Sequence, residues 1–258
     1  MNAARSLEGI GIVLTRPRVQ SEAAARELER DGAHVIVFPS LEIEPCLDTP
    51  ALQQALRELG GASLAIFVSL NAVEHGVAAA LRHGPWPATV AVAGMGDATA
   101  AALRNSGFER VISPAVRFDS EGLLMRPELQ AVRGQHIVIF RGAGGREKLR
   151  ESLQARGARV TYAECYRRVR PANDPAALLA AWTRGAVLAI QVMSVETLVN
   201  FMALAGARAE RHFATTTLVV PHETIARHEE ARRFGKVLVA APGEAGLKDA
   251  LMQLRATT

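Results

Sequence analysis

The amino-acid sequence predicts an α/β fold with two similar, doubly wound parallel-sheet domains, joined by a two-stranded linker and related by a pseudo-twofold internal duplication. Three observations predict it. Short β-branched apolar runs alternate with segments of helical period. One constant shift aligns the two halves of the chain. Two extended segments with charged residues occupy matching places in those halves.

Strands and helices are expected to alternate along the chain, as in parallel sheets covered by helices on both faces. The predicted strands are Ile10–Thr15, His34–Phe38, Leu64–Val68, Thr89–Ala93, His136–Phe140, Val187–Val192, Thr217–Val220 and Val237–Ala240. The predicted helices include Ser21–Arg30, Ala72–Leu81, Thr99–Asn105 and the segment around Glu147–Ala155.

The internal repeat is the strongest of these signals. Residues of one type recur 125 positions apart in the pairs Arg16 and Arg141, Gly32 and Gly157, Ser69 and Ser194, and Thr99 and Thr224. A general similarity among α/β units would explain one or two such matches, but it would not keep a common offset. The sequence therefore predicts homologous halves at about residues 10–130 and 135–256.

Leu41–Pro45 and Tyr166–Pro171 lie at matching places in the two halves and alternate apolar with charged residues. We expect both to be exposed connecting strands on which the chain leaves one domain and later returns. This predicts a first domain of residues 1–40 and 172–258, a second of 47–163, and linker strands at 41–46 and 164–171.

Composition narrows the function classes. The net charge of +4 over 258 residues is spread over helices on which both signs alternate, as at Arg26–Asp31, so binding to nucleic acid is not expected. No apolar run is long enough to cross a membrane, and Met1–Gly9 lacks the apolar core of a signal peptide. Two cysteines cannot form a disulfide framework, which indicates a reducing compartment, the cytoplasm.

Several motifs occur in a fixed order along nearly the whole chain: Phe67–Val73, Gly96–Leu103, Asp119–Leu124, Arg141–Gly142 with Gly145–Leu149, Arg156–Val160 and Tyr166–Arg168. None is specific alone, but the ordered set resembles the uroporphyrinogen-III synthase family. Val68, Met95, Asp97, His222 and Glu223 depart from the usual pattern, which affects the details of substrate contacts more than the resemblance.

The resemblance implies two α/β domains on an antiparallel linker, with the active site in the cleft between them and no metal or organic cofactor. It implies a cyclising hydro-lyase of haem biosynthesis. Such an enzyme closes hydroxymethylbilane, a linear tetrapyrrole polycarboxylate, with inversion of the terminal pyrrole ring and loss of water. We expect a monomer that makes transient contact with the preceding pathway enzyme.

Polar residues that open helices after strands are candidates for binding substrate carboxylates, because helix N-termini attract anions. Ser69, Asn71 and Ser194 are so placed, although both serines could be simple N-caps. Thr99 and Thr224 begin the next helices, where a hydroxyl can cap or bind a ligand. The resemblance adds Thr15, from the segment Thr15–Pro17 after the first strand, and Gly96, from Gly96–Leu103.

Arg16 and Arg141 end the first strand of each half and could pair with carboxylates in bidentate fashion. Arg141 is the stronger candidate, because Gly142 and the glycines after it would let backbone approach a ligand. Arg146 opens the following helix and points either to a ligand or to solvent.

Tyr166 is the expected catalytic residue, since the resemblance places the family's tyrosine there, and a phenol can donate a proton to a departing hydroxyl. The alternative is a ring that only packs between domains. The seven histidines show no metal-ligand spacing, so no metal site is expected. Two other functions stay open: a non-catalytic cleft protein for a small anion, and a sensor domain of a regulator.

Overall fold

A computed structural model describes residues 6–115, 117, 119–145 and 147–255 of the chain. Within them the chain divides into two units. The first contains the residues up to Glu42 and those from Val169 onward, and the second is the continuous segment Ile43–Arg168. Each unit contains one sheet. Residues 1–5, 116, 118, 146 and 256–258 lie outside the description, and Arg146 is among them.

The strands in the described residues are β1 (Gly11–Leu14), β2 (His34–Val37), β3 (Glu42–Pro45), β4 (Leu64–Phe67), β5 (Ala91–Gly94), β6 (Val111–Ile112), β7 (His136–Gly142), β8 (Arg159–Val169), β9 (Ala189–Gln191), β10 (Thr217–Val220) and β11 (Lys236–Val239). Each predicted strand overlaps one of these. The sequence missed β6, which has only two residues.

The helices are α1 (Arg18–Arg30), α2 (Pro50–Glu58), α3 (Leu70–His83), α4 (Asp97–Asn105), α5 (Ser120–Leu124), α6 (Lys148–Ala155), α7 (Ala176–Thr183), α8 (Val195–Ala205), α9 (Glu210–Phe213), α10 (Glu223–Ala226) and α11 (Gly243–Arg255). Several begin at polar caps: the side chains of Thr49, Ser69 and Ser194 each accept a hydrogen bond from a backbone N–H of the first turn.

The two sheets have the same strand order once the repeat is taken into account. The first unit reads β11-β10-β9-β1-β2, and the second reads β6-β5-β4-β7-β8 with β3 added at the edge. A shift of 125 residues carries β1 onto β7, β4 onto β9 and β6 onto β11. Each sheet therefore combines strands from both sequence repeats, and its central pair joins the two: β1 with β9, and β4 with β7.

The cores form because the central strands are buried on both faces, as parallel strands between helical layers are. All four residues of β1, β4 and β10 are buried. In the second unit the rings of Phe67 and Phe140 stack with centroids 4.6 Å apart. In the first, Trp182, Phe201 and Phe213 contact one another edge to face or tilted.

The expectation that Tyr166–Pro171 is an exposed strand holds only from Arg167 onward. β8 runs without a break from Arg159, and Ala163, Cys165 and Tyr166 are buried in the core of the second unit. Tertiary packing explains the difference, because β8 lies between β7 and β3 and is covered by residues of α3. Beyond the covered part, Arg167 pairs with Glu44 at 2.7 Å near the surface.

Among the described residues, no helix combines the length and the apolar character that a membrane crossing requires.

Gly11→Ala should destabilise the fold, because a Cβ at this position of β1 would lie 1.7 Å from the backbone oxygen of Ala186, just before β9. The two segments must then move apart where the Leu188 N–H donates to the Gly11 oxygen. We expect a loss of about 1–3 kcal/mol in the free energy of unfolding, measured by urea denaturation. Gly60→Ala is the control, since its Cβ would meet nothing within 4 Å. Equal stability of the two variants would contradict the close packing of β1 on β9.

Candidate active site

A pocket of about 570 Å³ opens in the second unit where β4, β5 and β7 end. The carboxyl ends of parallel strands are the usual place for ligands in such sheets. Its lining residues come from the loops after these strands, from the starts of α5 and α6, and from β8; they include Val68, Ser69, Met95, Gly96, Thr99, Asp119, Ser120, Arg141, Gly142, Gly144, Gly145, Lys148, Tyr162, Tyr166 and Arg168.

Tyr166 is held rigidly at one wall of this pocket. Its side chain is 3% exposed, and its hydroxyl lies 3.0 Å from Oγ of Ser69. Ser69 in turn accepts a hydrogen bond of 3.2 Å from the Ala72 N–H and so caps α3. A Cβ on Gly142 would come within 2.6 Å of the tyrosine ring, so only glycine there leaves room for it. The phenol is thus fixed beside the positive end of a helix.

Arg141 lines the pocket, but its nitrogen atoms are already engaged. Nη1 donates to Glu147 at 3.1 Å, Nε donates to the Gly142 oxygen at 3.2 Å, and Nη2 donates to the Gly144 oxygen. The guanidinium also lies 4.3 Å from the centre of the Tyr162 ring. These contacts let Arg141 hold the glycine-rich loop, and its bidentate contact with a substrate carboxylate stays a prediction.

Tyr162 is a pocket residue that the sequence analysis missed. Its hydroxyl donates to Oε2 of Glu147 at 2.9 Å. Burial, reinforced by this bond, raises the pKa of Tyr162 to about 12, and the same bond, together with Arg141, lowers the pKa of Glu147. The spacing of four residues gave no signal, because a register shift of β8 against Arg141 and Gly142 interrupts the alternation of side chains. Tyr162 packs with the cluster that contains Ile66 and Ile139, whereas Tyr166 packs with the cluster that contains Phe67 and Phe140.

The other candidates in the second unit divide between pocket and helix. Gly96 precedes α4, and Thr99 lies buried in the first turn of that helix; both line the pocket. Asn71 is half-buried in the first turn of α3 and is not among the lining residues. Cys165 is buried, and this burial raises its pKa to about 12, which keeps the thiol protonated and poorly nucleophilic.

Four candidates belong to the first unit. Thr15 is fully buried and donates to the Gln191 oxygen at 2.7 Å, so its hydroxyl links β1 to β9, and its substrate contact stays a prediction. Ser194 caps α8, accepting from the Thr197 N–H at 3.1 Å. Thr224 is exposed in α10.

Arg16, also in the first unit, is half-buried at the end of β1. Its Nε is buried without a hydrogen-bond partner among the described residues. Desolvation lowers the pKa of Arg16, and the charge of Glu244 opposes that shift. An arginine in this state retains donors for an anionic ligand.

Comparison with known proteins assigns the family. A family model described as "Uroporphyrinogen-III synthase HemD" matches residues 22–247. The chain belongs to the uroporphyrinogen-III synthase family. A uroporphyrinogen-III synthase of Salmonella typhimurium is 35% identical over 206 residues, covering 79% of this chain and 83% of that one. The Escherichia coli enzyme of that name is 32% identical over 220 residues, covering 84% and 89%.

Solved structures agree on the fold. A uroporphyrinogen III synthase variant of Thermus thermophilus superposes with a TM-score of 0.61 at 20% identity, covering 96% of this chain and all of that one. The Helicobacter pylori enzyme gives 0.61 at 14% identity, covering 95% and 99%. The family, the α/β fold with parallel sheets and the assignment as a cyclising lyase of tetrapyrrole biosynthesis, all predicted from the sequence, are confirmed. The small-anion binding alternative finds no support in these comparisons.

Tyr162 should ionise at unusually high pH. Its folded-state pKa of about 12 exceeds the ordinary value of 10.0. The neutral phenol therefore stabilises the folded chain fully below pH 10, and this contribution is lost as pH rises from about 10 through about 12. Ultraviolet titration of phenolate absorbance should show one ionisation near pH 12 that Tyr162→Phe removes. An identical titration curve for that variant would disprove the assignment.

Proposed function

We propose that the pocket of the second unit binds the reacting end of hydroxymethylbilane, and that the chain there closes the tetrapyrrole with inversion of its terminal ring and loss of water. The observation that supports this most is the Tyr166 hydroxyl, fixed in the pocket wall at 3.0 Å from Ser69. The family assignment supplies the reaction, and the phenol supplies a donor for its leaving group.

Tyr166 would assist the first step. The hydroxyl of the bilane leaves as water with the phenol proton, and its pyrrole loses the N–H proton, which restores the phenol; the product is an electrophilic azafulvene. Ser69 accepts the Ala72 N–H and can donate its own proton to the phenol oxygen. The Tyr166 O–H then points its proton at the departing oxygen. This chain of donors begins at the N-terminus of α3, whose dipole favours the negative charge that the phenol oxygen acquires as it gives up its proton.

The later steps depend on geometry more than on acid–base chemistry. The azafulvene carbon bonds to the substituted α-carbon of the terminal pyrrole, which gives a spiro intermediate. Fragmentation and recombination of this intermediate then close the inverted ring. Because the bilane can also cyclise unaided without inversion, the enzyme must hold the terminal ring in the productive orientation. A pocket of about 570 Å³ has the size of a small-molecule site and can enclose part of the substrate.

Carboxylates of the substrate need charged or neutral hydrogen-bond donors. We propose Thr99, the glycine loop around Gly142 and the start of α4 after Gly96 for this role in the second unit. In the first unit, taken by itself, we propose Arg16, because its buried Nε has no hydrogen-bond partner in the described part of the chain, together with Ser194 and Thr224 at their helix starts. Asn71 stays a weaker candidate in α3.

We further propose that the enzyme works as a cytoplasmic monomer and takes its substrate in transient contact with the preceding pathway enzyme. The two cysteines are unpaired, as in proteins of a reducing compartment. A bilane that cyclises by itself in water would benefit from a short transfer between enzymes.

Tyr166→Phe should reduce turnover by roughly a hundredfold, the usual contribution of a positioned general acid. The ring and its packing against Gly142 remain, so the unfolding temperature should change little. Freshly prepared hydroxymethylbilane is supplied, and the porphyrin isomers are separated by chromatography. Ser69→Ala serves as a comparison, because it removes both the phenol's partner and the cap of α3, and should lower activity and stability together.

If Tyr166→Phe has unchanged turnover and an unchanged unfolding temperature, the hydroxyl has no catalytic role and the ring only packs. Formation of only the non-inverted isomer by the unaltered enzyme would contradict the proposed reaction itself.

A further inference from the structure

To bind a substrate that carries many carboxylates, the pocket needs cationic side chains that can exchange a protein carboxylate for one of the substrate. Arg141 does not meet this requirement. Its side chain is 6% exposed and is held by Glu147 and by two backbone oxygens. Moving this buried guanidinium toward a ligand would break its ion pair with Glu147 and would take a donor from two backbone carbonyls, which is costly. A different cation on the pocket wall must therefore respond to the ligand.

Lys148 has the properties that Arg141 lacks. It is the first residue of α6 and lines the pocket, and its side chain is 57% exposed. Its Nζ contacts Oε1 of Glu121 on α5. Because water screens exposed ion pairs, a pair of this kind contributes little to stability and exchanges readily. A carboxylate of the ligand can replace that of Glu121.

Glu121 can release Lys148 without being left unpaired. Its other oxygen, Oε2, lies 2.5 Å from Nη1 of Arg117. Asp119 holds Arg117 in place through a contact of 2.5 Å to Nε, and it also accepts the Gly122 N–H at 2.9 Å as the cap of α5. Both cations lower the pKa of Glu121, so it is a carboxylate at neutral pH and resembles the acid groups of the substrate.

We infer that Lys148 is a specificity-determining residue that binds a carboxylate of the tetrapyrrole, and that Glu121 occupies this lysine in the substrate-free enzyme as an internal competitor. The inference rests on the proposed function, since it places the substrate in this pocket. Binding exchanges one carboxylate for another at Nζ, while Glu121 retains Arg117. The charge of Lys148 is thus paired with a carboxylate in both the free and the bound enzyme. The binding free energy of the substrate is smaller by the free energy of the Lys148–Glu121 pair that it breaks.

Two substitutions test this with opposite expected results. Lys148→Gln should raise KM about threefold to tenfold, with a much smaller effect on kcat, because it removes a charged donor to the ligand. Glu121→Gln should lower KM about twofold to fivefold, because it removes the competitor. A merely structural role for this bridge between α5 and α6 predicts changes in the same direction for both, since each variant breaks the same ion pair.

The double variant and a distant lysine complete the experiment. If Glu121 acts through Lys148, the double variant should have the KM of Lys148→Gln alone, a clear departure from additivity. Lys236→Gln removes the same charge from the exposed end of β11 in the first unit and should leave KM unchanged. Unfolding temperatures of all variants identify any loss of folded enzyme.

Unchanged KM in both single variants, or an increase in both, would overturn the inference. Either result would leave the proposed function intact, provided that the unaltered enzyme forms the inverted isomer and Tyr166→Phe loses turnover. Absence of the inverted isomer from the unaltered enzyme would overturn the proposed function, and the inference with it.

Discussion

Two strand pairings between distant parts of the chain determine the architecture on which the rest depends. Ile12 lies opposite Ala189 where β1 meets β9, and Leu64 lies opposite Ile137 where β4 meets β7. Both pairings are parallel, so each needs a long crossover and brings two carboxyl ends to one edge of its sheet. In the second unit this edge collects the loops after β4, β5 and β7, and the pocket is built from them.

The two sequence repeats have the same strands, but the residues that follow the first strand of each repeat differ. Arg141 at the end of β7 corresponds to Arg16 at the end of β1, and both are retained. The next position is Gly142 in one half and Pro17 in the other, where the proline is the N-cap residue of α1. Since a phenol packs directly against Gly142, a proline there would exclude it; at the position matching Tyr166, the first half has Leu41. The tyrosine site therefore occurs in only one of the two sequence repeats.

Features fixed by local patterns could be predicted from the sequence, and features fixed by tertiary contacts could not. The apolar run of β10 gave its bounds to the residue, and the ordered motifs located Tyr166. Tyr166 is buried because α3 and β7 pack against it. The sequence did not predict this burial, since the charged residue next to it, Arg167, is typical of an exposed strand. The hydrogen bonds from Arg141 to backbone oxygens could not be predicted, because they depend on the shape of a loop that only the folded chain defines.

The division of the chain has a consequence for its synthesis on the ribosome. The second unit is one continuous segment, Ile43–Arg168, so it can fold as soon as it emerges. The first unit cannot, because β1 finds its partner β9 only when the last third of the chain is made. Until then the β1–β2 pair carries an uncovered edge, with apolar strands that could join another chain. Nascent copies on neighbouring ribosomes are therefore most exposed to mispairing through their first forty or so residues, long after the pocket has formed.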